Sequence, residues 1–182
     1  MVSSHAALLG ADILSKEEKD KTSEFLFVKP IKRSKIITSK LLVSILFLLI
    51  LNIVTFVSSV LFCSQYEDIS STLFTLSIGL FFLQLIFLSI GMLISVVIKN
   101  SKLSKATSIS TGILLLLYVT SKFIDMSDKL NFLKYLNPFK YFDTQELVYN
   151  GIDYIYIILS FIIITVFISL TYILYNKKDL NI

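Results

Sequence analysis

Reactive side chains are scarce in this chain, and each scarcity excludes a class of chemistry. A single cysteine, Cys63, leaves no internal disulfide and no multi-cysteine metal site. It reads as a small apolar residue near a helix end. A single histidine, His5, excludes zinc or iron chemistry built on paired imidazoles, so no metal and no cofactor is expected. The five glycines are Gly10, Gly79, Gly91, Gly112 and Gly151, and none starts a G-x-x-x-x-G-K-[ST] phosphate loop. The chain is therefore not expected to hydrolyse ATP itself. Charge is scarce too, at 16% of 182 residues against 55% apolar, and mean hydropathy is +0.80. A soluble domain of this length needs far more polar surface to cover its core, so the composition is that of a membrane protein. The formal net charge of +4 then bears on where Lys and Arg lie relative to the membrane, not on nucleic acid, which is not an expected partner.

What is present is four long apolar runs. Leu41–Cys63, Thr72–Ile98, Ala106–Ile124 and Tyr154–Tyr175 each reach the length of about 20 helical residues that a hydrocarbon core requires. None holds Asp, Glu or Arg, and their one Lys, Lys122, stands near an end, where it can snorkel. Backbone groups cannot stay unpaired in lipid and the alternation of a barrel is missing, so the runs are helices. The fold class is all-α: a polytopic helical membrane protein with four transmembrane helices. Residues 1–40 form an N-terminal cytoplasmic segment and 41–182 the transmembrane domain.

Orientation follows from the basic residues. If 1–40 is cytoplasmic, thirteen Lys and Arg fall on that side and four, Lys122, Lys129, Lys134 and Lys140, fall outside. That asymmetry satisfies the positive-inside rule and puts the C-terminus in the cytoplasm, with the chain multi-pass in the cell membrane. The outer stretch 125–151 is rich in aromatic residues and divided by Pro138, which disfavours helix at Asn137. Two short amphipathic helices lying at the outer interface, where aromatic rings prefer to sit, are expected there.

The most polar stretch, "SKEEKDKTSEFLFVKPIKRSKIITSK", abuts the first run. Ser15 and Glu18 make a capping box, and Glu17, Glu18 and Asp20 occupy first turns, where the helix dipole favours acids. Lys29 precedes Pro30, so a helix is expected over about 16–29, followed by a break at "PIKR". Ser34 can cap a new helix that runs into the first span. Such a helix either transmits a push to the membrane helices or is an ordinary juxtamembrane helix whose cations meet lipid phosphates.

The stretch resembles the cytoplasmic segment of permease subunits of the ABC-2 type transporter family. There a Glu-rich start, a Thr, a further Glu, Leu-rich residues, a Pro and a basic residue precede the Lys that opens a membrane helix. Here these are Glu17 and Glu18, Thr22, Glu24, Leu26, Pro30, Arg33 and Lys40. "YLNPFKYFD" resembles the Pro-aromatic segment before the last helix, and "YNKKDL" the basic-Asp terminus after it. The resemblance implies the membrane half of an ATP-driven exporter. Its partners would be a separate ABC ATPase subunit, a second permease copy or companion permease chain, and the lipid bilayer. Glu17, Glu18, Thr22, Glu24, Leu26, Pro30 and Arg33 would form the coupling helix that docks the ATPase. Lys21 stands where many members have Gly. The family usually has six spans with the coupling segment after the second, and "HAALLGADIL" looks like the tail of that second helix. A permease lacking its first two helices is therefore expected.

Other functions are open on the residues alone. An ion-coupled carrier would place ionisable groups or broken helices at mid-membrane. Only Asn52 and Gln84 are notable there, as possible path-lining residues or as amides bridging neighbouring helices. A non-transporting scaffold or immunity-type protein would keep the spans without an ATPase. The small-residue pairs Gly91/Ser95 and Ser108/Gly112 allow close helix approach, within one chain or between two.

Overall fold

The computed structural model describes residues 2–19, 33–63, 70–98, 105–126 and 128–177, and these are helical almost throughout, with no strand among them. The elements in chain order are α1 (Val2–Lys19), α2 (Arg33–Cys63), α3 (Ser70–Val97) and α4 (Ala106–Met126). A 3-10 helix (Asp128–Tyr135), α5 (Pro138–Tyr141), α6 (Thr144–Asn150) and α7 (Tyr154–Lys177) follow. Four of these, α2, α3, α4 and α7, are long and apolar enough to cross a membrane. They coincide with the four apolar runs to within a turn, except that α2 begins eight residues earlier, at Arg33. Its 31 residues rise about 46 Å, more than the roughly 30 Å of a hydrocarbon core, so its first turns project from one face. Below, the near end is where α2 begins, and the far end is where α5 and α6 lie.

A helix apolar all round is enclosed either by other helices or by lipid, and α3 is the span enclosed by helices. Over half of its most apolar window, 56%, is buried, against 17% for α2, 22% for α4 and 11% for α7. Phe87, Ile86, Leu88 and Met92 of α3 are at the heart of the core. The other three pack around it and leave outward faces such as Leu42, Leu46 and Leu49 on α2 or Ile155, Ile158 and Ile162 on α7 exposed, as surfaces that meet lipid are. At the near end, α2 and α7 are tied together by Thr38 and Tyr172, whose hydroxyl oxygens are 2.7 Å apart. Hydroxyls within the spans largely return to their own helix, as when Ser160 donates to the Tyr156 carbonyl and Thr171 to that of Phe167. This satisfies them without water.

The N-terminal segment departs from expectation. Ser15 does not open a helix, because α1 starts at Val2 and runs through that position to Lys19. Nor does α1 stand apart from the bundle. Ala6, Ala7, Gly10 and Ala11 are buried, and Gly10 meets Gly91 of α3 at backbone contact. A methyl group built on Gly91 would lie 2.4 Å from the Ala7 carbonyl oxygen and 2.9 Å from the Ala11 nitrogen. Only hydrogen fits between these two helices at this point. Ser110 of α4 donates to the Ala7 carbonyl at 3.3 Å, and the Lys40 ammonium of α2 donates to that of Ile13, so α1 is fastened to three spans.

Of the small-residue pairs, Gly91/Ser95 is buried, and its Gly91 makes this crossing within the chain. A methyl group on Gly112 would meet nothing within 4 Å, and Ser108 is exposed, so that pair faces outward.

The far end is built by caps. Asn137 is extended, as a residue before proline must be, and its Oδ1 accepts from the Phe139 N–H at 3.1 Å. Pro138 then occupies the first turn of α5, where its missing N–H costs nothing. Asp143 caps α6 by accepting from the Gln145 N–H at 3.0 Å, and Gly151 ends α6 at φ 74°. The aromatic residues expected at the interface divide into two sets. Phe132, Tyr135 and Tyr149 are exposed, whereas Tyr141 and Phe142 are buried in the bundle. Phe142 stacks on Phe82 of α3, and Tyr141 on Tyr156 of α7 with centroids 5.2 Å apart.

Candidate functional site

The sequence points to two places, the docking segment and the two amides, and the structure adds a third. The docking residues Thr22, Glu24, Leu26 and Pro30 lie outside the described residues. Glu17 and Glu18 lie in the last turns of α1, and Arg33 begins α2. Their backbones thus flank the near end, and α1, which carries both glutamates, rests on α3.

The two amides have different surroundings. Asn52 of α2 donates from Nδ2 to the Ser77 carbonyl of α3 at 3.2 Å, the helix-bridging use of such a group. It also lines an apolar cavity of about 390 Å³ between these helices, walled by Leu49, Ile53, Phe56 and Phe81. Gln84 is fully buried in α3, and neither its nitrogen nor its oxygen finds a partner among the described residues; the same holds for the Ser95 hydroxyl. A buried polar group without a partner carries a desolvation cost of about 1–3 kcal/mol. Replacing Gln84 by Leu is therefore expected to leave stability unchanged or raise it by about 1 kcal/mol, read as the thermal midpoint in detergent. A clear loss would show that the amide is paired after all.

The third place was not legible as a site: an open cavity of about 410 Å³ at the far end. One wall is a leucine stripe on α3, Leu73, Leu76, Leu80 and Leu83, and the facing wall holds Phe139, Phe142 and Leu147. Its polar lining is Thr55 and Ser59 of α2, Tyr118, Ser121 and Lys122 of α4, and Asp143 and Thr144. Ser77 lines this cavity and the apolar one, so the bridge from Asn52 stands at their common wall.

An ion cluster holds the mouth. The Lys140 side chain is only 5% exposed, yet its ammonium donates to the Asp125 carboxylate and, at 2.7 Å, to Oδ2 of Asp143. Burial would depress the Lys140 pKa, but the hydrogen bonds and charges of Asp125 and Asp143 outweigh it and leave it raised. For Asp143 burial acts upward, and the Lys140 ammonium with the Gln145 N–H brings the pKa below its ordinary value. Lys122 is held more loosely, 3.9 Å from Asp125 and 5.9 Å from the Tyr118 ring centroid, with its side chain 61% exposed. Asn137 completes the frame by donating from Nδ2 to the Leu117 carbonyl of α4 at 2.8 Å. The spacing of Lys140 and Asp143, three apart around a short helix, was the one signal of this cluster in the sequence.

Compared with known families, residues 1–180 match a family model described as ABC-2 family transporter protein. Neither the curated proteins nor the solved structures contain a match to the chain.

Proposed function

The chain belongs to the ABC-2 transporter family, a family of multi-pass membrane components of ABC transporters, and from that premise we propose that it is the permease subunit of an ATP-driven exporter whose ATP is hydrolysed on a separate subunit. The observation that carries this reading is the extent of the match, which takes in the charged segment and all four spans. The near end is the cytoplasmic face of the cell membrane, in keeping with the thirteen basic residues on that side. The charged segment over about 16–29, which begins as the last turn of α1, docks the ATPase as the coupling element through Glu17, Glu18, Thr22, Glu24, Leu26, Pro30 and Arg33. A second permease copy or companion chain completes the membrane unit.

The packing of α1 supports a mechanical role. Work done on the charged end reaches the bundle only through an element firmly attached to it. α1 meets α3 at the Gly10–Gly91 crossing, where no flexible side chain intervenes. α3 is also the most enclosed span, so a displacement there is felt by α2, α4 and α7, all packed around it. An ordinary lipid-binding juxtamembrane helix has no need of such a contact.

The test is co-purification of the permease with the cell's own ABC ATPase. Reversal of charge in Glu18→Lys and Glu24→Lys is expected to reduce the recovered ATPase about tenfold or more, since like charge placed at a docking surface costs kilocalories. An undiminished complex in both variants overturns the docking assignment.

A further inference from the structure

We propose that the far-end cavity is a binding site for a single-chain amphipathic anion, with its charged head at Lys122 and its apolar chain along the α3 leucine stripe. The proposal rests on reading the chain as a membrane transport component, but not on the ATPase, which the binding measurement leaves out. Three features of the cavity point to this chemistry.

The first is shape. Leu73, Leu76, Leu80 and Leu83 follow one face of α3, and the ten-residue interval rises about 15 Å along a membrane-spanning axis. A groove of that length, parallel to the acyl chains of a bilayer, fits an extended alkyl chain better than a compact polar solute. Phe139, Phe142 and Leu147 close its other side. The volume of about 410 Å³ lies within the range of small-molecule sites.

The second is charge. Of the two acids beside the mouth, Asp143 is already paired: one oxygen accepts from Lys140 and the other from the Gln145 N–H. Asp125 accepts from Lys140 through one oxygen, and its other oxygen lies 3.9 Å from Lys122. Lys140 is consumed by these acids. Lys122 is the lining cation with room to turn to a ligand, and a phosphate or carboxylate head there would gain a charge-assisted bond that the loose Asp125 contact does not supply.

The third is the order of the walls. The hydroxyls of Ser121 and Thr144 lie beside Lys122 and Asp143 in the lining, while the leucines continue towards Leu83 in the middle of α3. The ionisable residues and the inner leucines thus stand at different ends of one axis, with the hydroxyls of Thr55, Ser59 and Ser77 spaced along the stretch between. The neighbouring cavity between α2 and α3, with no ionisable residue in its lining, lacks the head zone.

The experiment uses the purified full chain in nanodiscs of phosphatidylcholine, titrated with a fluorescent alkyl phosphate and with the alkyl phosphocholine of equal chain length. The phosphate is expected to bind about tenfold more tightly, the preference to vanish in Lys122→Gln, and inorganic phosphate not to compete. Leu76→Trp, which fills the groove, is expected to remove binding of both chains. Because Lys122 is exposed, its substitution tests the head zone without endangering the fold. Equal affinity for the two head groups, an unchanged preference in Lys122→Gln, or full competition by inorganic phosphate overturns the proposal. Lysophosphatidylglycerol, a single-chain anionic membrane lipid, added to the nanodisc identifies the source: displacement of the probe assigns the site to such a membrane lipid, and retention assigns it to another diffusible amphipath. If the binding fails while ATPase co-purification succeeds, the cavity assignment alone falls.

Discussion

Gly91→Ala is expected to unseat α1 and to cost about 3 kcal/mol, the upper end of the usual range for overpacking. The reason lies in what the new methyl group meets. The Ala7 oxygen at 2.4 Å and the Ala11 nitrogen at 2.9 Å are backbone atoms of a helix, so no side chain can swing aside. Relief requires α1 to move as a body, and that movement breaks the bond from Ser110 to the Ala7 carbonyl. Two measurements follow. The thermal midpoint in detergent falls, and in a Cys63→Ser background a disulfide between Ala7→Cys and Ser110→Cys that forms readily with Gly91 is lost with Ala. Gly112→Ala is the control. Its methyl group meets nothing within 4 Å, and alanine favours helix over glycine by up to about 1 kcal/mol, so its midpoint stays or rises. A Gly91→Ala chain with unchanged midpoint and cross-link would remove the packing on which the mechanical reading of α1 depends.

That crossing shows where hydropathy stops being informative. The four spans were legible because lipid rewards long apolar runs; their ends fell within a turn of those runs, save the start of α2, which passes through Lys40 to the helix start expected at Ser34. α1 was not legible as part of the bundle. Its buried face is Ala6, Ala7, Gly10 and Ala11, residues that contribute little apolar area and act instead by letting backbones touch. The spacing of Gly91 and Ser95 announced a close neighbour, but nothing in the spacing named Gly10 as that neighbour. A capping box at Ser15 was a sound local signal, and it was overridden because the helix already running from Val2 supplies backbone partners to that turn.

The far end divides in the same way. Pro138 marked a helix start, and Asn137 took the extended conformation that the proline ring imposes. Lys140 had been counted only as an external charge. Its partner Asp125 is fifteen residues away, beyond the 3-10 helix, and a pairing at that separation is a property of the tertiary fold rather than of any local pattern. The inward set of rings, Tyr141 and Phe142, carries no compositional difference from the outward set; only the caps at Asn137 and Asp143 decide which rings face α3 and α7. Most of the docking segment falls outside the described residues, so the reading of Thr22, Glu24, Leu26 and Pro30 rests on sequence alone.

The second large effect is expected at Lys140. Methionine there keeps the apolar stem and removes the charge, so Asp125 and Asp143 lose the ammonium that both share. Breaking a fully buried pair from one side costs about 3–5 kcal/mol. Here the acid side chains are 42% and 24% exposed and water can reach them, so about 2 kcal/mol is expected. The pH dependence has a definite sign. The Asp143 pKa is depressed in the fold, so its contribution is present above the ordinary carboxylate value and is lost as pH falls through the folded one. The Lys140 pKa is raised, so its contribution is present below 10.5 and is lost as pH rises through the folded value. Between about pH 5 and pH 10 the pair therefore contributes evenly, and the gap between wild type and Lys140→Met is constant in thermal melts. Below about pH 4 the gap narrows, because a protonated Asp143 no longer needs the ammonium. Adding Asp143→Asn to Lys140→Met removes one orphaned charge while asparagine still caps α6, and about 1 kcal/mol is expected to return. If the double variant melts no higher than the single one, the ammonium serves Asp125 alone and α6 is held by its cap and by the packing of Leu147.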